Sequence, residues 1–133
     1  MRYINVEYLI NDYMADMEAE EKYFPMLIAR AERDIETLTS HQLTEELFSK
    51  MNDTNREHIK KAISAQAEYL GRIKAKYGTI DFNSIPDSFS IGSYSETNYK
   101  TSGASGKGLE LYATSVYNYL FPTGLLFKGV GYI

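Results

Sequence analysis

Apolar residues in the first 78 positions recur at intervals of three and four, the repeat of helices that each bury one stripe. Phe24, Ile28, Ala31, Ile35 and Leu38 step by four, three, four and three, with Pro25 suited to the first turn. Glu18, Glu20 and Glu21 lie just ahead of that helix, where carboxylates favour the positive end of its dipole. Ile59, Ile63, Gln66, Leu70, Ile73 and Tyr77 repeat in the same way and predict a longer helix. For its start the pattern Thr54-x-x-Glu57 predicts a capping box, and Gly78 supplies a left-handed stop after Lys74 and Lys76. Shorter helices are expected from Val6 to about Asp12, capped by Asn5 and burying Val6, Leu9, Ile10 and Tyr13. Another is expected around Leu43, Leu47, Phe48 and Met51.

The pattern then changes. Serine, glycine and scattered apolar residues fill 79–107, where Phe89 and Ile91 alternate with Ser90 and Gly92 as in a short strand. Leu109, Tyr112, Val116 and Leu120 return to helical spacing until Pro122. The expected fold is mainly α: a small helical bundle, a long loop containing a short strand or hairpin, and an extended C-terminal tail. It forms one domain over 1–133, with helical core at about 5–78 and 108–121, loop at 79–107 and tail at 122–133. A compact fold of this length buries about two-thirds of its unfolded surface.

Composition narrows the chemistry. With no cysteine, disulfides, thiolate nucleophiles and cysteine-type zinc sites are excluded. A net charge of −4 gives no global basic field for gripping nucleic acid, although DNA can slide past an acidic surface. The first residues lack a signal-peptide pattern, and no apolar run nears the roughly 20 residues of a membrane helix, so a soluble protein is expected. Ser102-Gly-Ala-Ser-Gly-Lys-Gly108 misses the phosphate-loop pattern, with Thr101 where its first glycine belongs and Gly108 where its magnesium-binding hydroxyl belongs. Gly103-Ala-Ser-Gly likewise misses the serine-nucleophile spacing. His41 and His58 have no Glu-x-x-His or His-x-x-x-His partner on their own helices and read as surface or capping residues, and the acidic runs read as solvated. No catalytic, cofactor-binding or metal-binding residue is assigned.

Three features remain as contact candidates. Gln66 occupies an apolar seam position, either as a buried amide satisfied by nearby backbone or as a polar device fixing register against a partner helix or subunit. Six of the twelve tyrosines fall between Tyr94 and Tyr132 without interleaved arginines, which favours protein interfaces over base stacking. The tail carries Leu125, Leu126, Phe127, Val130 and Tyr132, which either tuck into the bundle or form an interface with another chain; the interface is the expectation. Phe89, Ile91, Tyr94 and Tyr99 are the candidate loop contacts.

The helix from Leu27 to Thr39, the helix from Lys61 to Leu70, the loop strand Phe89-Ser-Ile-Gly-Ser93 and the closing Pro122-Thr-Gly-Leu-Leu-Phe-Lys-Gly-Val130 follow one another in a telling order. Their order and spacing resemble the head–tail connector family (adaptor, or head-completion, proteins) of long-tailed bacteriophages and prophages. That resemblance implies a virion structural protein without enzymatic activity or cofactor. It implies a homo-oligomeric ring, dodecameric in the family, bound beneath the capsid portal protein. The ring would receive a stopper or tail-completion protein and let DNA through its lumen without reading sequence or touching a membrane. Assembly would occur in the bacterial host cytoplasm, and the final location would be the virion head–tail junction. The alternative is a DNA-binding packaging protein of the small-terminase type. It would need a basic recognition helix, whereas Arg30 and Arg33 sit among Glu32, Asp34 and Glu36.

Overall fold

Two antiparallel helices form the spine of the molecule, in a computed structural model that describes residues 2–84 and 110–126. Helix α1 spans Phe24–Leu38, α2 spans Glu45–Lys50, α3 spans Asp53–Tyr77 and α4 spans Thr114–Leu120. The chain is mainly helical, and among the described residues there is no strand. The candidate strand around Phe89 and Ile91 lies outside the described residues.

The sides of α1 and α3 that meet are the predicted apolar stripes. Leu27, Ile28, Ala31 and Ile35 of α1 and Ile59, Ile63 and Leu70 of α3 are fully buried. Each large aliphatic side chain among them contributes about 1.5–3 kcal/mol relative to exposure. Leu27 lies beside Gly71 while Asp34 reaches Gln66, so the helices run in opposite directions. At Gly71 the packing is close: a β-carbon there would come 3.2 Å from Met17 Cε, the flexible end of its side chain, and 3.7 Å from Leu27 Cδ1, an ordinary contact. The segment before α1 therefore crosses α3 at this point. Asp16 N–H donates to Glu68 at 2.7 Å, and Arg72 pairs with Glu18 at 3.4 Å, holding that segment down.

The helix ends follow local chemistry, with one correction. Asn5 caps the first turn as expected, its Oδ1 accepting from Tyr8 N–H at 2.8 Å. The turn from Tyr8 to Asp12 is wider than an α-helix, with Tyr13 N–H donating to Tyr8 C=O. This extra residue per turn moves the buried face onto Tyr8 and Leu9 and leaves Ile10 37% exposed, contrary to the expected stripe. The Thr54–Glu57 capping box does not form. Asn52, in extended backbone, caps α3 by accepting from Asn55 N–H at 2.8 Å, and Glu57 instead accepts from the Tyr8 hydroxyl. Gly78 closes α3 in the left-handed conformation, at φ 81°. His41, also left-handed at φ 63°, donates its N–H to Glu36 C=O where α1 ends, and is exposed.

The core is wider than the expected boundaries. Tyr3 and Ile4 are buried ahead of position 5, and Phe82 is buried inside the expected loop. The Asn52 assignment has a direct test. Asn52→Ala should lower stability by about 1 kcal/mol in urea denaturation, whereas Thr54→Ala should change it by no more than a few tenths.

Candidate functional site

A buried polar cluster among the described residues is built on Gln66. This residue has no exposed surface, and α3 points it across the seam at α1. Its Nε2 donates to Asp34 Oδ2 at 2.9 Å and to Leu111 C=O at 2.9 Å, and its Oε1 accepts from Ala113 N–H at 2.9 Å. Both amide hydrogens and the amide oxygen are thus engaged, which fixes the orientation of the group. Asp34 in turn pairs through its other oxygen with Arg30, four residues earlier on α1, at 3.2 Å. One helical turn along α3, the Tyr69 hydroxyl donates to Glu110 C=O.

These bonds root the chain where it leaves the 85–109 segment and enters α4. They also explain why α4 starts later than expected. Leu111 C=O and Ala113 N–H, which a helix beginning near Leu109 would bond within itself, are taken by Gln66, and Ala113 is extended. The other end of the segment is fixed by Phe82, 7% exposed in the core just before residue 85. Gln66 is thus a buried, satisfied amide that bonds both the facing helix, at Asp34, and the backbone of a later segment of its own chain, at Leu111 and Ala113.

A second buried polar group was not singled out in the sequence. Glu32 is 2% exposed, and its Oε2 accepts from the N–H groups of Arg2 and Tyr3 at 2.8 Å and of Ile4 at 3.3 Å. Three consecutive backbone donors are the kind of setting that makes a buried carboxylate tolerable. Its signal was available: Glu32 lies four residues after Ile28 and three before Ile35, a seam position like that of Gln66. Next to it, Glu36 accepts from the Tyr3 hydroxyl at 2.7 Å and pairs with the Arg2 guanidinium, holding that guanidinium's pKa above its ordinary value.

The tail candidates divide. Leu125 is 8% exposed and packs in the bundle's own core, with Leu126 against it, and Gln42 Nε2 donates to Leu125 C=O at 3.1 Å. Gly124, left-handed at φ 80°, turns the chain back toward the bundle after α4. The interface expectation is corrected for Leu125, which the core covers, whereas Leu126 is only partly buried. Phe127, Val130 and Tyr132 lie outside the described residues, as do the loop candidates Phe89, Ile91, Tyr94 and Tyr99 and the glycine-rich stretch Ser102–Gly108. His58 stands by a shallow recess lined by Asp53, Thr54, Glu57 and Lys61, its Nδ1 buried without a hydrogen-bond partner. Among the described residues no cluster of three His, Asp or Glu is placed to hold a metal, and no helix is long and apolar enough to cross a membrane.

The arginines are largely committed within the chain. Arg2 pairs with Glu36, Arg30 with Asp34, Arg56 with Asp53, and Arg72 with Glu18 and Glu68. No known protein family, curated protein or solved structure matches this chain.

Two predictions arise from these contacts. Gln66→Leu should destabilise the fold by about 2 kcal/mol, because it leaves Leu111 C=O and Ala113 N–H without partners. Hydrogen exchange should then speed up first at Ala113 and through α4, while α1 and the first half of α3 stay protected. Equal loss of protection throughout would show that Gln66 supports the whole core rather than this root.

The second concerns alkaline pH. Burial raises the pKa of Tyr3, Tyr8 and Tyr13 above the ordinary 10.0, helped respectively by Glu36, Glu57 and Tyr119. Burial, with Glu110 nearby, pushes Tyr69 up to about 12. Above pH ~10 the unfolded chain releases these protons while the folded chain keeps them, so stability is complete below about 10 and falls as pH rises further. Thermal melts should be level from pH ~8 to ~9.5 and drop steeply beyond, and Tyr69→Phe should flatten the drop.

Proposed function

We propose that this protein is a non-enzymatic head–tail connector, a virion structural subunit that assembles as a homo-oligomeric ring beneath the portal of a long-tailed phage capsid. The observation that carries the reading is the anchoring of both ends of the 85–109 segment on one small helical bundle. Phe82 is buried at the near end, and Gln66 and Tyr69 hold Glu110 to Ala113 at the far end. That segment is rich in serine and glycine and carries few groups with which to offset an ordering cost of roughly 1–2 kcal/mol per residue. A fold that spends its most buried amide on the root of such a segment gains from where the segment emerges. A ring would give it that value, because neighbouring subunits and the portal bring further surfaces to the place where the segment leaves the bundle.

The order of the two helices, the Phe89–Ser93 stretch and the Pro122–Val130 stretch supports the same reading through its resemblance to the connector family. So does the charge distribution. A channel that must release DNA is served by an acidic chain in which Arg2, Arg30, Arg56 and Arg72 pair with carboxylates. The same pairing weakens the packaging-protein alternative, since Arg30 of α1 is held by Asp34 rather than offered to phosphate. Portal, stopper and passing DNA are the proposed partners, and the head–tail junction the proposed location.

The test is to mix the purified chain with the portal ring encoded in the same genome and image the product by electron microscopy. An added ring of density beneath the portal is expected; a bare portal at ~10 µM chain overturns the reading. Truncations refine it. Removing 127–133 should keep the melting temperature within a few degrees and abolish portal binding. Removing 125–133 should in addition cost about 1.5–3 kcal/mol, because Leu125 belongs to the core.

A further inference from the structure

Helix α4 has two sides of different chemistry. Val116 and Leu120 are fully buried against α3. The opposite side carries Thr114, Tyr117, Asn118 and Phe121, at the i, i+3, i+4 and i+7 positions of a single stripe, and all four are exposed. Tyr117 is 39% and Phe121 61% exposed, while Tyr112 packs edge-on to Tyr117 with ring centroids 6.5 Å apart. Leu111, 37% exposed, extends the apolar surface past the start of the helix.

This surface carries no charge. From Leu111 to Phe127 the sequence has no Asp, Glu, Lys or Arg, the longest such run in a chain that is 24% charged. Glu110 borders it beside Tyr117, and Arg30 and Asp34 lie near Tyr112. A central aromatic and uncharged patch with charge at its edge is the composition of a protein–protein contact. The charge also selects the occupant. Every copy of the chain carries a net −4, so two copies repel across most surfaces and approach at least cost where neither presents a charge.

We infer that the outer face of α4, centred on Tyr117 and Asn118, is the surface through which copies of this chain associate. The inference deepens the ring reading and rests on it for the geometry in which copies meet, a head-to-tail repeat that closes. Association itself is measured on the purified chain alone.

Sedimentation velocity of the full chain from roughly 10 µM to 1 mM is the experiment. The wild type should sediment faster as concentration rises. Tyr117→Glu should raise the dissociation constant about tenfold or more by removing an aromatic contact and adding charge. Asn118→Glu adds the charge alone at an exposed position. It should weaken association in the same direction, and it decides the question if the Tyr117 variant fails to fold by circular dichroism. Met14→Glu, at a residue 76% exposed on the segment before α1, is the control and should behave as wild type. A wild type that stays monomeric throughout overturns the inference, as does a Met14 variant weakened as much as those on α4. Portal binding without self-association would remove this inference and leave the connector reading standing. Self-association without portal binding would do the reverse.

Discussion

The amide of Gln66 is the constraint on which the arrangement of the C-terminal third depends. It is fully buried where α1 and α3 meet, and it binds one side chain and two backbone groups. An aliphatic residue would fill the seam equally well and would leave Leu111 and Ala113 to find other partners. The polar choice gives up a little apolar burial and gains a single register for the entry into α4. Once that register is set, Val116 and Leu120 reach α3, and Gly124 returns Leu125 to the core. Gln42, in the connector after α1, then holds Leu125 C=O. Two glutamine side chains thus bracket α4, one at each end.

Glu32 does for the N-terminal segment what Gln66 does for the C-terminal part. Residues 2–4 precede the first helix and have no ladder or helix to satisfy their N–H groups, and a buried carboxylate accepts from all three. Tyr3 can then pack edge-on against Phe48 of α2 at 5.1 Å. Apolar burial between α1 and α3 supplies the cohesion, while polar seam residues decide which irregular segments join it and where.

The two long helices were legible in the sequence because their stripes repeat over several turns, so a single misplaced residue does not hide the period. Ends and short elements were legible only where one residue type dominates the local chemistry, as at Asn5, Pro25 and Gly78. At the start of α3 two caps competed. Asn52 won because it takes the extended conformation a cap needs, while Glu57 was drawn to Tyr8, forty-nine positions earlier in the chain. Ile10 was misplaced because the widened turn after Asn5 changes the period, and no residue pattern marks that change. Leu125 shows the same limit of local reasoning. An apolar residue beyond a proline and a glycine looks like a loose end until the left-handed Gly124 turns it inward. Gln66 was visible as a polar residue on an apolar stripe, yet its partners, Asp34 on another helix and Leu111 and Ala113 far along the chain, have no local signature.

The division of labour within α4 links this interior to the proposed exterior. A seven-residue helix is too short to persist on its own. It is held by the Gln66 root, by its two core residues and by the return of Leu125. Val116 and Leu120 face the core from one side, while the other side is exposed and carries the Tyr112–Tyr117 edge contact. A soluble surface of this kind would ordinarily be charged, as the exposed face of α1 is with Arg33 and that of α2 with Glu45, Glu46 and Lys50. On α4 and the turn that follows it the exposed stripe is Thr114, Tyr117, Asn118 and Phe121 instead. The rigidity imposed from the inside makes such a face useful, since aromatic side chains on a fixed helix lose less freedom on association than the same groups on a fraying one. Mutations at Gln66 and at Tyr117 should therefore act on one property from opposite sides of the same helix, the first by loosening the platform and the second by removing what it presents.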